Sequence, residues 1–272
     1  MTDWVGWPGL GGAMRMRVLV TVKSYPQMGF RQGEAVCVAG LRADVSPPVW
    51  VRLFPVPFRD LSKLLQFAKY QFVEVDVSRP ATDRRPESWM PREDSIRPGE
   101  KLDTSNGWAQ RRRWVEPVLI GSMCELSRRQ EVDGTSLGAF RPAEVLDVTV
   151  SPAEPWSSDR EALARQLNMF TPDKPVLEQV PMNFRYRYRC DEAGCRTHEQ
   201  KIIDWEIGQF WRRFGDPAAI REKWLNQLAG RDKDVILFAG NMHQYPGSFL
   251  VLGVFWPPQR RPGEGEQLGL GV

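Results

Sequence analysis

Residues Phe184-Arg185-Tyr186-Arg187-Tyr188-Arg189 alternate aromatic ring and guanidinium with a period of two, and Cys190, Cys195 and His198 follow directly. A period of two is that of a β-strand, whose side chains point alternately to opposite faces. The rings then share one side and can pack a core. The arginines share the other, about 7 Å apart along the strand. Such a row suits a polyanion, and nucleic acid is the expected partner. The run Cys-Asp-Glu-Ala-Gly-Cys-Arg-Thr-His sets two thiols and an imidazole around a turn, where a zinc ion could fix the strand's end.

Composition narrows the alternatives. A chain of 272 residues, 42% hydrophobic, has material for a core that needs no covalent staples. Its formal charge of +3 is small, so any affinity for nucleic acid must come from local clusters. Four cysteines, Cys37, Cys124, Cys190 and Cys195, make a poor disulfide framework in a chain this size, and a reducing cytoplasm is expected. No apolar run approaches the roughly 20 residues of a membrane span, and no leader pattern opens the chain, so no membrane partner is expected.

The pattern predicts an α+β protein. Apolar runs at 16–23, 35–41, 49–54 and 70–77 read as strands, the second and third joined as a hairpin across Asp44–Pro48, with a short helical turn at Phe58–Leu65. Strands this short favour a small β-rich N-terminal barrel, OB-like or SH3-like, over residues 14–150. It follows a flexible extension at 1–13. Residues 79–106 read as a long polar connection, and 107–130 as a helix broken at Pro117. A mixed region over 151–256 contains the Cys/His turn and a helix after Ser158-Asp159. It also holds a helical hairpin broken at Gly215-Asp216-Pro217 and a terminal β-hairpin from 235–239 and 249–255. Residues 257–272 read as a disordered tail.

Three groups are candidate sites. Cys190, Cys195 and His198 are metal ligands lacking a fourth, which Asp204, His243, Cys124 or Cys37 could supply; the alternative is two reduced thiols and a polar histidine. Arg185, Arg187 and Arg189 form either a phosphate-tracking row or an ion-paired sheet face. Glu199, Asp204 and Glu206 raise a metal-dependent nuclease as an alternative, because clustered carboxylates hold magnesium. On one continuous helix, however, Asp204 and Glu206 would point about 160° apart.

The segments Trp50-Val51-Arg52-Leu53-Phe54-Pro55-Val56-Pro57-Phe58-Arg59-Asp60-Leu61, Lys69-Tyr70-Gln71 and Arg85-Pro86-Glu87-Ser88 resemble a family of uncharacterised bacterial proteins. Tyr188-Arg189-Cys190, Cys195, His198 and Ile203-Asp204-Trp205-Glu206 extend the likeness, which spans most of 16–256. The first half is similar to proteins with paired OB-like domains. That resemblance implies a shared surface including Arg52, Arg59, Arg84 and Arg85.

Together these features point to a non-catalytic nucleic-acid-binding protein, DNA or RNA, with a structural zinc pinning the arginine-rich strand to a helix that begins near Glu199. The alternatives are the nuclease and a protein-interaction adaptor that uses tryptophans and arginines at a partner surface.

Overall fold

The computed structural model describes residues 13–29, 33–169 and 175–260, so nearly all of the expected N-terminal extension and the tail beyond Arg260 lie outside the described residues. The N-terminal half is built from β1 (Met14–Lys23), β2 (Gln27–Gly29), β3 (Gly33–Arg42), β4 (Val49–Val56), β5 (Gln71–Ser78), β6 (Ser88–Pro91) and β7 (Arg97–Lys101). β1 pairs antiparallel with both β3 and β5, β3 pairs with β4, and the parallel β4–β6 pair and antiparallel β5–β6 pair complete the circuit. This closed five-strand barrel is the Greek-key closure expected of an OB-like fold.

The closing strand comes from the stretch that reads as a loop. β6 is only four residues long and ends in proline, too short to show a period, and it is fixed by its neighbours and by Trp89 lying 3.7 Å from the Arg79 guanidinium. Phe58–Leu65 forms hydrogen-bonded turns, with Leu61 N donating to Pro57 O at 3.1 Å, a helical turn that does not continue into a helix.

The rest of the chain runs through α1 (Ser105–Val115), β8 (Leu119–Ile120), α2 (Met123–Asp133), β9 (Leu137–Phe140), β10 (Glu144–Pro152), α3 (Ser158–Met169), β11 (Met182–Arg189) and β12 (His198–Lys201). It continues through α4 (Trp205–Phe214), α5 (Pro217–Glu222) with a π-helical extension over 223–228, β13 (Ile236–Asn241) and β14 (Phe249–Phe255). The helix boundaries follow local chemistry. Ser122, Asp204 and Asp216 accept hydrogen bonds from the first turns of α2, α4 and α5, and Gly134 and Gly215 end α2 and α4 at φ of 78° and 61°.

Two further sheets form, β10-β11-β12 and β14-β13-β9-β8. The expected helix near Glu199 is replaced by β12, because His198–Lys201 pair with the open edge of β11, and α4 starts at Trp205. The barrel core holds Val18, Val20, Val38, Leu53 and Val75, whereas Phe184, Tyr186, Tyr188 and Trp224 centre a second core. A third, with Leu19, Phe72, Leu137, Phe238 and Phe255, joins the barrel to the β13–β14 hairpin. β1 serves two of these cores, which is why it is buried on both faces from Val18 onward. Among the described residues no helix is long and apolar enough to cross a membrane.

Candidate metal centre and cationic sheet face

Cys190 directly follows β11, Cys195 lies in the turn beyond it, and His198 opens β12. The fourth group comes from Cys124 in the first turn of α2. Ligand atoms of Cys124, Cys190, Cys195 and His198 all lie within 4.8 Å of one another. His198 Nε2 is 3.3 Å from Cys124 Sγ and 3.4 Å from Cys195 Sγ, and its ring stacks on Tyr188 with centroids 5.2 Å apart. Burial, then contacts among the sulfurs, pushes the Cys124 thiol up to about 12; burial likewise raises Cys190 and lowers His198. A divalent cation inverts this logic by taking thiolates and a neutral imidazole, and this three-sulfur, one-nitrogen set can hold a metal ion. Outside the cluster, Glu192 ties its turn to the α2 cap by accepting from Ser122 Oγ at 2.6 Å.

The other candidates for the fourth ligand are engaged elsewhere. Asp204 meets Lys69, His243 Nδ1 lies 3.4 Å from Asp83, and Cys37 sits on β3 in the barrel.

β11 takes the orientation its alternation predicts. Phe184, Tyr186 and Tyr188 are buried; Arg187 and Arg189 are exposed, and Arg185 is half-buried. The Tyr186 hydroxyl donates to Trp224 O at 2.9 Å, fixing the buried side. On the other side the row is partly answered. Arg189 pairs with Glu144, and Arg185 donates to Ser151 Oγ at 3.0 Å. Arg187 faces Glu199 and Asp147 across the two strand pairs, but Glu199 accepts from Thr149 Oγ1 and Asp147 pairs with Arg221. Arg187 itself forms no ion pair among the described residues, and Lys201 stands opposite Arg185.

The arginines implied by the resemblance do not share a surface. Arg52 is 2% exposed and donates to Ser136 Oγ at 2.7 Å and Ser136 O at 3.0 Å, while Ser136 donates to Glu87. Arg52 is therefore a clamp between barrel and C-terminal half, because its strand faces β9 instead of solvent. Arg59 is paired with Glu34 and Arg85 with Asp83, Arg85 also donating to Asn241 O; only Arg84 is exposed.

The carboxylates separate as well. Glu199 lies on the sheet face, whereas Asp204 and Glu206 converge on Lys69 at 2.9 and 3.2 Å. Convergence is possible because Asp204 is the N-cap of α4, outside the helical geometry that would separate the pair. Lys69, Tyr70 and Arg111, which crowd around this point, carry no periodic or spacing signal in the sequence. Cys124 had only its residue type to mark it.

Two family models divide the chain: a domain of unknown function, DUF8758, matches residues 14–117, and a second, DUF8757, matches residues 119–269. Curated proteins give no match. Among solved structures, a murine DNA-binding protein bound to double-stranded DNA aligns over 91% of this chain and 97% of its own, at 10% identity and a TM-score of 0.32, a likeness that carries no argument. Since the second model spans more than half of its length, the chain belongs to the family described as domain of unknown function DUF8757.

Proposed function

We propose that this protein binds nucleic acid on the solvent face of the β10-β11-β12 sheet, with a structural zinc as its anchor. The observation that carries the reading is Arg187: it stands in the central strand of a sheet whose other face is locked in the core, and among the described residues it forms no ion pair, its cross-strand neighbours Asp147 and Glu199 being engaged with Arg221 and Thr149. Arg185 and Lys201 extend the positive patch along the same face. Three thiols and an imidazole favour zinc, and four protein ligands leave no open coordination position for chemistry. Asp204 and Glu206 both pair with Lys69 instead of facing an open metal position, which favours a non-catalytic role over a nuclease.

The test is fluorescence anisotropy with single- and double-stranded DNA and RNA at low and physiological salt. Binding should weaken with salt, and the Arg185→Ala/Arg187→Ala variant should lower the slope of log K against log salt by about 2. Absence of binding at low salt, or an unchanged slope in that variant, overturns the reading.

A further inference from the structure

A cavity of 540 Å³ opens between the barrel and the C-terminal half, away from both the metal cluster and the arginine face. Lys23, Lys69, Lys101 and Arg111 line it, against Glu206 on its wall and Asp204 behind Lys69. Four cations against two carboxylates leave a net positive site. Three of the cations are held in place: Lys23 donates to Phe67 O at 3.0 Å, Lys69 is tied to both carboxylates, and Arg111 donates twice to Leu102 O. Lys101 is exposed and forms no ion pair among the described residues.

The uncharged walls are aromatic, with Trp108, Trp205 and Trp256 beside Tyr70. Tyr70 is 5% exposed, yet its hydroxyl has no hydrogen-bond partner. Buried hydroxyls are ordinarily satisfied, so this one marks a place for an acceptor. Tyr70 and Trp108 also hold φ of 60° and 65°, a backbone region uncommon for bulky residues.

We propose that this cavity binds a phosphorylated nucleoside, its planar base against the tryptophans and its phosphate held by Lys101, Lys23 and the Tyr70 hydroxyl. Positive charge alone would suit any anion; the indole walls select one carrying a flat ring. The ligand is either a free nucleotide or the 5′-phosphorylated end of a strand. The proposal does not rest on the sheet face.

Calorimetric titration of the full chain with AMP, ADP and a short deoxythymidine oligonucleotide, with and without a 5′-phosphate, tests it. Binding of AMP or ADP identifies a free nucleotide; binding of only the 5′-phosphorylated oligonucleotide identifies a strand end. In either case Lys101→Ala should raise Kd about ten-fold or more with unchanged Tm, and Tyr70→Phe should raise it while keeping the ring. The Arg185→Ala/Arg187→Ala variant should leave this affinity unchanged, which separates the two sites. The proposal is overturned if no mononucleotide binds at millimolar concentration and the 5′-phosphate adds nothing to the oligonucleotide, or if neither Lys101→Ala nor Tyr70→Phe alters Kd.

Discussion

Lys69 Nζ lies 2.9 Å from Asp204 Oδ2, joining the segment before β5 to the N-cap of α4 across the two halves of the chain. The carboxylate is 1% exposed, and burial, opposed by the lysine's charge, lifts its pKa to about 6. Burial works against the ammonium too, but Asp204 and Glu206 outweigh it and hold Lys69 protonated.

Removing either partner should therefore be costly. Lys69→Met leaves a buried carboxylate without its counter-charge, costing about 3–5 kcal/mol, whereas Asp204→Ala removes a helix cap and one of two ion-pair partners but leaves the ammonium Glu206, and should cost less. The Lys69→Met/Asp204→Asn pair should cost less than the sum of its single changes, as measured by a urea denaturation cycle. Additive losses would mean the two do not act as a pair.

Arg52 makes a second junction between the halves, and Gly240 leaves it room: a Cβ there would stand 3.2 Å from the guanidinium Nη2. Arg52→Ala should destabilise by about 1.5–3 kcal/mol for each charged hydrogen bond lost, and Arg52→Lys should recover little, because an ammonium cannot reproduce the fork that reaches both Ser136 oxygens. Chemical denaturation of the two variants decides this; a lysine variant as stable as wild type would show that charge alone matters.

Gly208 lies within α4, where alanine would ordinarily gain roughly 1 kcal/mol in helix propensity. A Cβ there would come 1.9 Å from Tyr25 Cδ2, and the Tyr25 hydroxyl is anchored on Glu178 O at 3.0 Å. Overpacking should win, with Gly208→Ala lowering stability by about 1–3 kcal/mol. Thermal melts should show Gly208→Ala recovering its loss in a Tyr25→Ala background.

Metal content is expected at one zinc per chain by elemental analysis. Cys124→Ser and Cys190→Ser should each lose it and lower Tm, whereas Cys37→Ser should keep it, since Cys37 lies outside the cluster. A strong chelator should lower the wild-type Tm in the same direction. Equal retention in all three variants would remove the centre.

Burial first, then Lys69 and Lys101, lowers the Lys23 pKa to about 8, against partial relief from Glu206 and Asp204. The folded value is below the ordinary 10.5, so between about pH 8 and 10.5 the unfolded chain binds more protons and this group's contribution to stability rises with pH. The cavity loses a positive charge over the same step. AMP affinity should fall as pH passes about 8, and Lys23→Met should bind weakly without that break; a flat profile in wild type would exclude Lys23 from the anion site.

The alternation from Phe184 to Arg189 and the apolar runs of the barrel were readable because a strand's two faces impose a period on its own residues. Cap chemistry was equally local, placing the breaks at Gly215 and at Asp216-Pro217. Three members of the Cys/His cluster, Cys190, Cys195 and His198, stood close enough in sequence to be grouped. Cys124 did not, since its helix meets the turn only through tertiary packing.

The sequence by itself determined the β-rich first half, the helical hairpin, the buried and exposed faces of β11 and three of the four members of the Cys/His cluster, because each depends on neighbours a few residues away. Tertiary structure decided that 198–201 extends a sheet, that Arg52 is an internal clamp, and that Asp204 and Glu206 close on Lys69. Those outcomes depend on which distant backbone or charge lies opposite, a matter that folding settles and local spacing does not encode.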